Sequence, residues 1–146
     1  MKKPALLAAL LLLSHIFVAK KKKKKPDVLA LQFETNRSEL TDTHHTALED
    51  FLKTLSAKPA DYSISVTGHT DARGSDAFNR DLSLRRGRSV ADFLSAHGFT
   101  RERITLMAEG EHRPKADNES DLGMMLNRRV EIRFEHAPVL TNRPSD

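Results

Sequence analysis

The spacing of apolar residues switches repeatedly between two and about 3.6 along this chain, and that alternation confines the fold to a sheet covered by helices. Leu29, Leu31 and Phe33 alternate with Val28, Ala30 and Gln32 in a short, mostly apolar run, which predicts a strand buried on at least one face. Leu48, Phe51, Leu52 and Leu55 then follow the i, i+3, i+4, i+7 rule of a helical stripe. Thr41 is its expected N-cap, Asp42 lies in its first turn, and Pro59 closes the segment. From Tyr62 the period returns to two, with Tyr62, Ile64 and Val66 on one face and Ser63, Ser65 and Thr67 on the other.

A loop over Asp71 to Asp76 containing Gly74 leads into a long helix marked by Leu82, Val90, Phe93 and Leu94, with Gly98 just past its end. Ile104, Leu106 and Ala108 predict a third strand, which Gly110 to Pro114 breaks. A short helix is expected within Asp117 to Leu126, and Val130, Ile132 and Phe134 alternate with Glu131, Arg133 and Glu135 as a fourth strand. Strands separated by helices give an α/β fold, specifically an α+β sandwich with helices packed on a four-stranded sheet.

With 146 residues and 38% hydrophobic content, the chain can bury one ordinary core but not two. It has no cysteine, hence no disulfide scaffold, thiolate nucleophile or sulfur metal ligand. The formal charge of +4 is misleading. Lys2, Lys3 and Lys20 to Lys25 supply eight of the 24 basic residues, whereas all 20 acidic residues lie at Asp27 or later. The globular part is therefore net negative, and a nucleic-acid partner is excluded.

Residues 1–19 have a basic start and an apolar run from Ala5 to Ala19, the layout of a secretory signal peptide or short signal anchor. Fifteen helical residues would span only about 22 Å, short of a ~30 Å hydrocarbon core. Residues 20–27 are a lysine-rich linker, residues 28–136 the folded domain, and residues 137–146, with two prolines and little periodicity, an expected disordered tail.

Asn79, Ser83 and Arg86 share one stripe at the start of the long helix, immediately after the loop that carries Asp71. A carboxylate, free loop N–H groups, a helix N-terminus and an arginine in one small volume suit a zwitterionic ligand. His44, His45, His69, His97 and His112 show no metal-ligand spacing, and neither a nucleophile elbow nor a phosphate loop occurs. No cofactor, metal or catalytic residue is therefore expected, and the chain reads as a binding protein and not an enzyme.

Gly68-His69-Thr70-Asp71, the Gly74 loop, Asn79 with Leu82-Ser83 and Arg86, and Asn127-Arg128-Arg129-Val130-Glu131 occur in one order and spacing. Together they resemble the OmpA-like peptidoglycan-binding domain over roughly Ala30 to Phe134. The resemblance implies a β-α-β-α-β-(α)-β fold with a mixed sheet, and non-covalent binding of the diaminopimelate of the peptidoglycan stem peptide. It places the protein in the periplasmic envelope, in association with the outer membrane. Asp71 would take the ligand's ammonium and Arg86 its carboxylate. Thr70, Gly74, Asn79 and Leu82 would shape the pocket, and Arg129 would add a contact. Gly87 stands where the family has alanine, Met124 where many members have arginine, and the lipid-bearing cysteine of Pal-type members is absent. Two alternatives remain at this level: a wall-anchoring module of an envelope complex, as in MotB-like proteins, with envelope membrane proteins as partners, or a protein-interaction domain without wall binding.

Overall fold

The structure, a computed structural model, describes residues 27–55 and 61–136. The leader, nearly all of the lysine-rich linker, Pro59 and the tail expected over residues 137–146 lie outside them. The order is β1 (Asp27–Gln32), α1 (Asp42–Thr54), β2 (Tyr62–Gly68), α2 (Asp76–Ala96), a 3-10 turn (Arg101–Arg103), β3 (Ile104–Ala108), α3 (Asp121–Asn127) and β4 (Arg129–His136).

Local chemistry sets the helix boundaries. Thr41 is extended at φ −88° and ψ 169°, and its hydroxyl accepts from the His44 N–H. His44 Nδ1 accepts in return from the Thr41 N–H at 3.2 Å, closing a capping box with an imidazole in place of the usual carboxylate. Because Nδ1 accepts, Nε2 carries the proton and donates to the Gln32 carbonyl, pinning the first turn of α1 to the end of β1. Ser75 and Ser120 cap α2 and α3 through their hydroxyls in the same way. Gly98, at φ +84°, follows the last turn of α2 where a left-handed residue is needed.

The four strands form one mixed sheet in the order β1-β4-β2-β3. β4 is antiparallel to both β1 and β2, and β2 is parallel to β3. The parallel pair is joined through α2, since parallel strands need a crossover and a hairpin cannot supply one. Cross-strand rows such as Leu29, Ile132, Val66 and Leu106 place the apolar side chains on one face. Leu48 of α1 and Val90, Ala91, Phe93 and Leu94 of α2 cover that face and complete the core. The opposite face carries Ser65, Thr67, Thr105, Met107, Glu131 and Arg133. This is a two-layer α+β domain.

Helix α2 lies unusually close to β2. A Cβ on Gly68 would stand 1.9 Å from the Ser83 carbonyl oxygen and 2.7 Å from its carbon, so the strand's last residue touches helix backbone directly. At Gly87 the close approach of a Cβ would be to the tip of Leu106, at 2.5 Å, with the Gly68 nitrogen and Val66 at an ordinary 3.8 Å. The helix propensity lost to glycine at that position is thus linked to close helix-sheet packing. Gly68→Ala is expected to cost about 3 kcal/mol, because backbone must move on both sides. Gly87→Ala, with a side chain free to turn and about 1 kcal/mol of helix propensity regained, should stay within about 1 kcal/mol of neutral. Urea unfolding of both variants measures the contrast.

Candidate functional site

Beyond Gly68, β2 continues through two further hydrogen bonds, His69 N–H to the Arg129 carbonyl and Thr70 N–H to that of Gly110, each at 2.8 Å. Strand alternation then sends His69 to the open face of the sheet and Thr70 to the helix face, and Asp71 follows at the mouth of the β2–α2 loop. The Asn118 side-chain oxygen holds that loop by accepting from the Ala72 N–H at 3.1 Å. Gly74, at φ +95°, makes the turn into the Ser75 cap, a conformation that disfavours any residue with a Cβ.

Thr70, Asp71, Asn79, Leu82 and Arg86 line one cavity of about 20 Å³, joined by Thr35, Asn36, Arg73 and Arg128. Gly74 adjoins it, and a Cβ there would lie 3.3 Å from Phe78 and 3.7 Å from the Asn79 side-chain oxygen. Arg129 does not join this group. Its guanidinium donates to Glu131 Oε1 at 2.7 Å and to the Arg113 carbonyl at 3.2 Å, within a cleft on the open face of the sheet beside His69. Strand parity explains the difference. Arg129 shares its face with Glu131 and Arg133, whereas Arg128, in step with Val130, reaches the pocket.

Arg86 is 0% exposed. Its Nε donates to the Arg37 carbonyl at 2.7 Å, Nη1 to that of His69 at 2.9 Å and Nη2 to that of Glu34 at 3.0 Å. The side chain thereby ties the β1–α1 turn, where Asn36 takes φ 57°, to the end of β2. One N–H on each terminal nitrogen is left over. Burial, and secondarily the nearby Arg128, bring its pKa down to about 10, which leaves it cationic at neutral pH.

Asp71 is gripped by two other arginines. Arg73 donates Nε to Oδ1 at 3.2 Å and Nη2 to Oδ2 at 2.8 Å, with its backbone N–H on Oδ1 at 3.1 Å. Arg128 Nη1 donates to Oδ2 at 3.3 Å while its Nε holds the Phe33 carbonyl. Burial alone would raise the Asp71 carboxyl, but hydrogen bonds from Arg73 and Arg128 outweigh it and hold the group below its ordinary value. It is a carboxylate at any physiological pH.

Thr70 Oγ1 and Asn79 Nδ2 are buried in the pocket wall without a hydrogen-bond partner. Unspent polar groups of this kind are costly unless something completes them. Arg128 could have been found from the alternation of β4. Thr35 and Asn36 carry no local signal, since β1 reaches the site only by pairing with β4, and Arg73 reads in sequence as a solvent-facing loop charge. Asn127, which the sequence offers only as the start of the Asn127-Arg128-Arg129 run, accepts from Lys115 and Ala116 N–H and donates to Asn118, building the turn that supports the Asp71 loop. Among the described residues no group of three His, Asp or Glu side chains could hold a metal ion.

A four-stranded mixed sheet with one helical layer thus carries a small pocket of opposed charges where β2 runs into α2. The sequence profile of the OmpA family matches residues 32–128, and the chain belongs to this family. It is 36% identical over 107 residues to outer membrane porin F of Pseudomonas fluorescens, covering 73% of this chain and 32% of that protein. With outer membrane protein A of Escherichia fergusonii it shares 39% over 98 residues, 66% of this chain and 39% of the relative. The chain thus spans well under half the length of these relatives.

Among solved structures, the peptidoglycan-associated lipoprotein from Burkholderia pseudomallei superposes with a TM-score of 0.66 at 23% identity, covering 73% of this chain and 89% of that one. The cell wall anchor of the T6SS from Pseudomonas aeruginosa gives 0.60 at 28% identity, with 76% and 81% covered. The periplasmic domain of Helicobacter pylori MotB gives 0.64 at 23%, with 78% and 85% covered.

Two stability predictions follow from the interior. Arg86→Ala would strand three carbonyls and is expected to lower stability by about 3–5 kcal/mol in chemical denaturation, so it is a poor isolated test of binding. His69 is buried with both ring nitrogens unpartnered, and burial, reinforced by Arg129, lowers its pKa to about 4. The unfolded chain takes up a proton below pH 6.5 and the fold does not, so stability is full above 6.5 and declines as pH falls toward 4. His69→Phe should remove on the order of 2 kcal/mol of that decline between pH 6.5 and about 4.5, seen as a flatter dependence of melting temperature on pH.

Proposed function

We propose that this domain binds peptidoglycan non-covalently through the diaminopimelate of the stem peptide and so links the cell envelope to the wall. The observation that carries the reading is the pocket itself. One buried carboxylate stands beside the guanidinium groups of Arg86 and Arg128, with Thr70 Oγ1 and Asn79 Nδ2 unpartnered in the wall. The free end of a diaminopimelate side chain is an amino acid, with an ammonium for Asp71 and a carboxylate for the two arginines. Each charge-assisted bond contributes about 1.5–3 kcal/mol.

In this reading Arg86 serves chiefly as a wall of the site and offers its two remaining N–H groups. The contact first expected of Arg129 passes to Arg128, which lies on the pocket side of β4. Gly74 sets the loop, and Leu82 is a buried floor residue. Membership of the OmpA family, and likeness to a cell wall anchor and a peptidoglycan-associated lipoprotein, support the same ligand class and a periplasmic setting. The likeness to the cell wall anchor of the T6SS also supports a second reading, a role anchoring an envelope complex to the wall through the same site.

The full chain is expected to co-sediment with diaminopimelate-type peptidoglycan, and Asp71→Asn to reduce the bound fraction at least tenfold while circular dichroism shows it folded. A folded Asp71→Asn protein that sediments like the wild type would remove Asp71 from the site.

A further inference from the structure

We propose that Arg73 is an internal competitor for the ligand's seat on Asp71, a latch that an incoming ammonium must displace. The inference rests on the reading of this pocket as a zwitterion site.

The cavity is about 20 Å³, enough for roughly one water molecule. An incoming ammonium cannot take its place on the Asp71 oxygens while the Arg73 fork occupies both of them. Something in the wall has to move, and the three arginines differ sharply in what holds them. Arg86 is fully buried on three backbone carbonyls. Arg128 is 13% exposed and anchored to the Phe33 carbonyl.

Arg73 is different. Its side chain is 53% exposed, and its side-chain hydrogen bonds all go to the pocket wall, in a fork on Asp71 and through Nη2 to Thr35 Oγ1 at 3.1 Å. The guanidinium therefore bridges the β1–α1 and β2–α2 loops across the site. It fills both carboxylate oxygens with planar N–H donors, the role an ammonium would take.

Release of Arg73 leaves Asp71 ordered. Its carboxylate keeps Arg128 on Oδ2 and the Arg73 backbone N–H on Oδ1. The freed guanidinium enters water, where its charge is solvated. The Arg73 half of the ion pair is in reach of water while Asp71 is buried, so the arginine can be hydrated when it leaves and the ammonium takes over the charge on the carboxylate; the exchange is reversible. Because only the unlatched fraction binds, the apparent Kd exceeds the intrinsic one by the inverse of that fraction.

Calorimetric titration of the full chain with an L-Ala-D-Glu-meso-diaminopimelate tripeptide tests this. Arg73→Ala is expected to bind about tenfold more tightly than wild type, corresponding to an unlatched fraction of about one in ten. Arg73→Lys, which keeps the charge but loses the fork, should fall between them. Melting curves confirm that both variants fold. If wild type binds and Asp71→Asn does not, but folded Arg73→Ala binds no tighter or more weakly, the latch is overturned and the wall-binding reading stands. If neither wild type nor Arg73→Ala binds the tripeptide, both are overturned.

Discussion

A guanidinium enclosed without a directly paired carboxylate is the constraint around which this domain is arranged. Arg86 satisfies three of its five N–H groups with carbonyls from Glu34, Arg37 and His69, and its carbon lies 5.4 Å from the centre of the Phe33 ring. Burying a charge in this way is costly, and carbonyl dipoles offset it only when their loops are held in one shape. The β1–α1 turn and the exit of β2 are therefore fixed by one side chain from α2. The Asp71 carboxylate acts on Arg86 at longer range, which makes charge in the pocket and the shape of its walls a single electrostatic problem.

The Asn127-Arg128-Arg129 triplet shows how much a strand entrance can separate neighbours. Asn127 organises the turn over Lys115 to Asn118, Arg128 enters the pocket, and Arg129 turns to the other face to meet Glu131. Three adjacent polar residues thus serve a loop, a site and a sheet surface. The divergence follows from a period of two, applied one residue earlier than β4 formally starts.

Most of the architecture was legible in sequence because each element has an apolar face with a clear period. Leu48 and the Tyr62, Ile64, Val66 and Val130, Ile132, Phe134 sets are all core, and Thr41 and Gly98 bound their helices as capping chemistry requires. The site was legible only where it is local, in the Asp71 loop and the first turns of α2. Thr35 and Asn36 enter through a long-range strand pairing that no spacing rule encodes. The orientation of Arg86 toward carbonyls, in place of an open fork, also depends on where a distant turn folds. Arg73 was hidden differently: two residues after Asp71, it reads as a solvent-facing loop charge until the fold brings its fork onto the carboxylate.

The contact at Gly68 has a mechanical consequence. Side chains usually space a helix from a sheet, so the gap follows whichever residues fill it. Here the end of β2 abuts the backbone of α2, and the gap at that point is a backbone van der Waals contact with no side chain to adjust it. The far half of the helix, where Phe93 and Leu94 pack, is spaced by side chains and can settle or spread as they change. The domain therefore has one end where backbone sets the helix–sheet spacing and another where side chains do, and the pocket lies at the first.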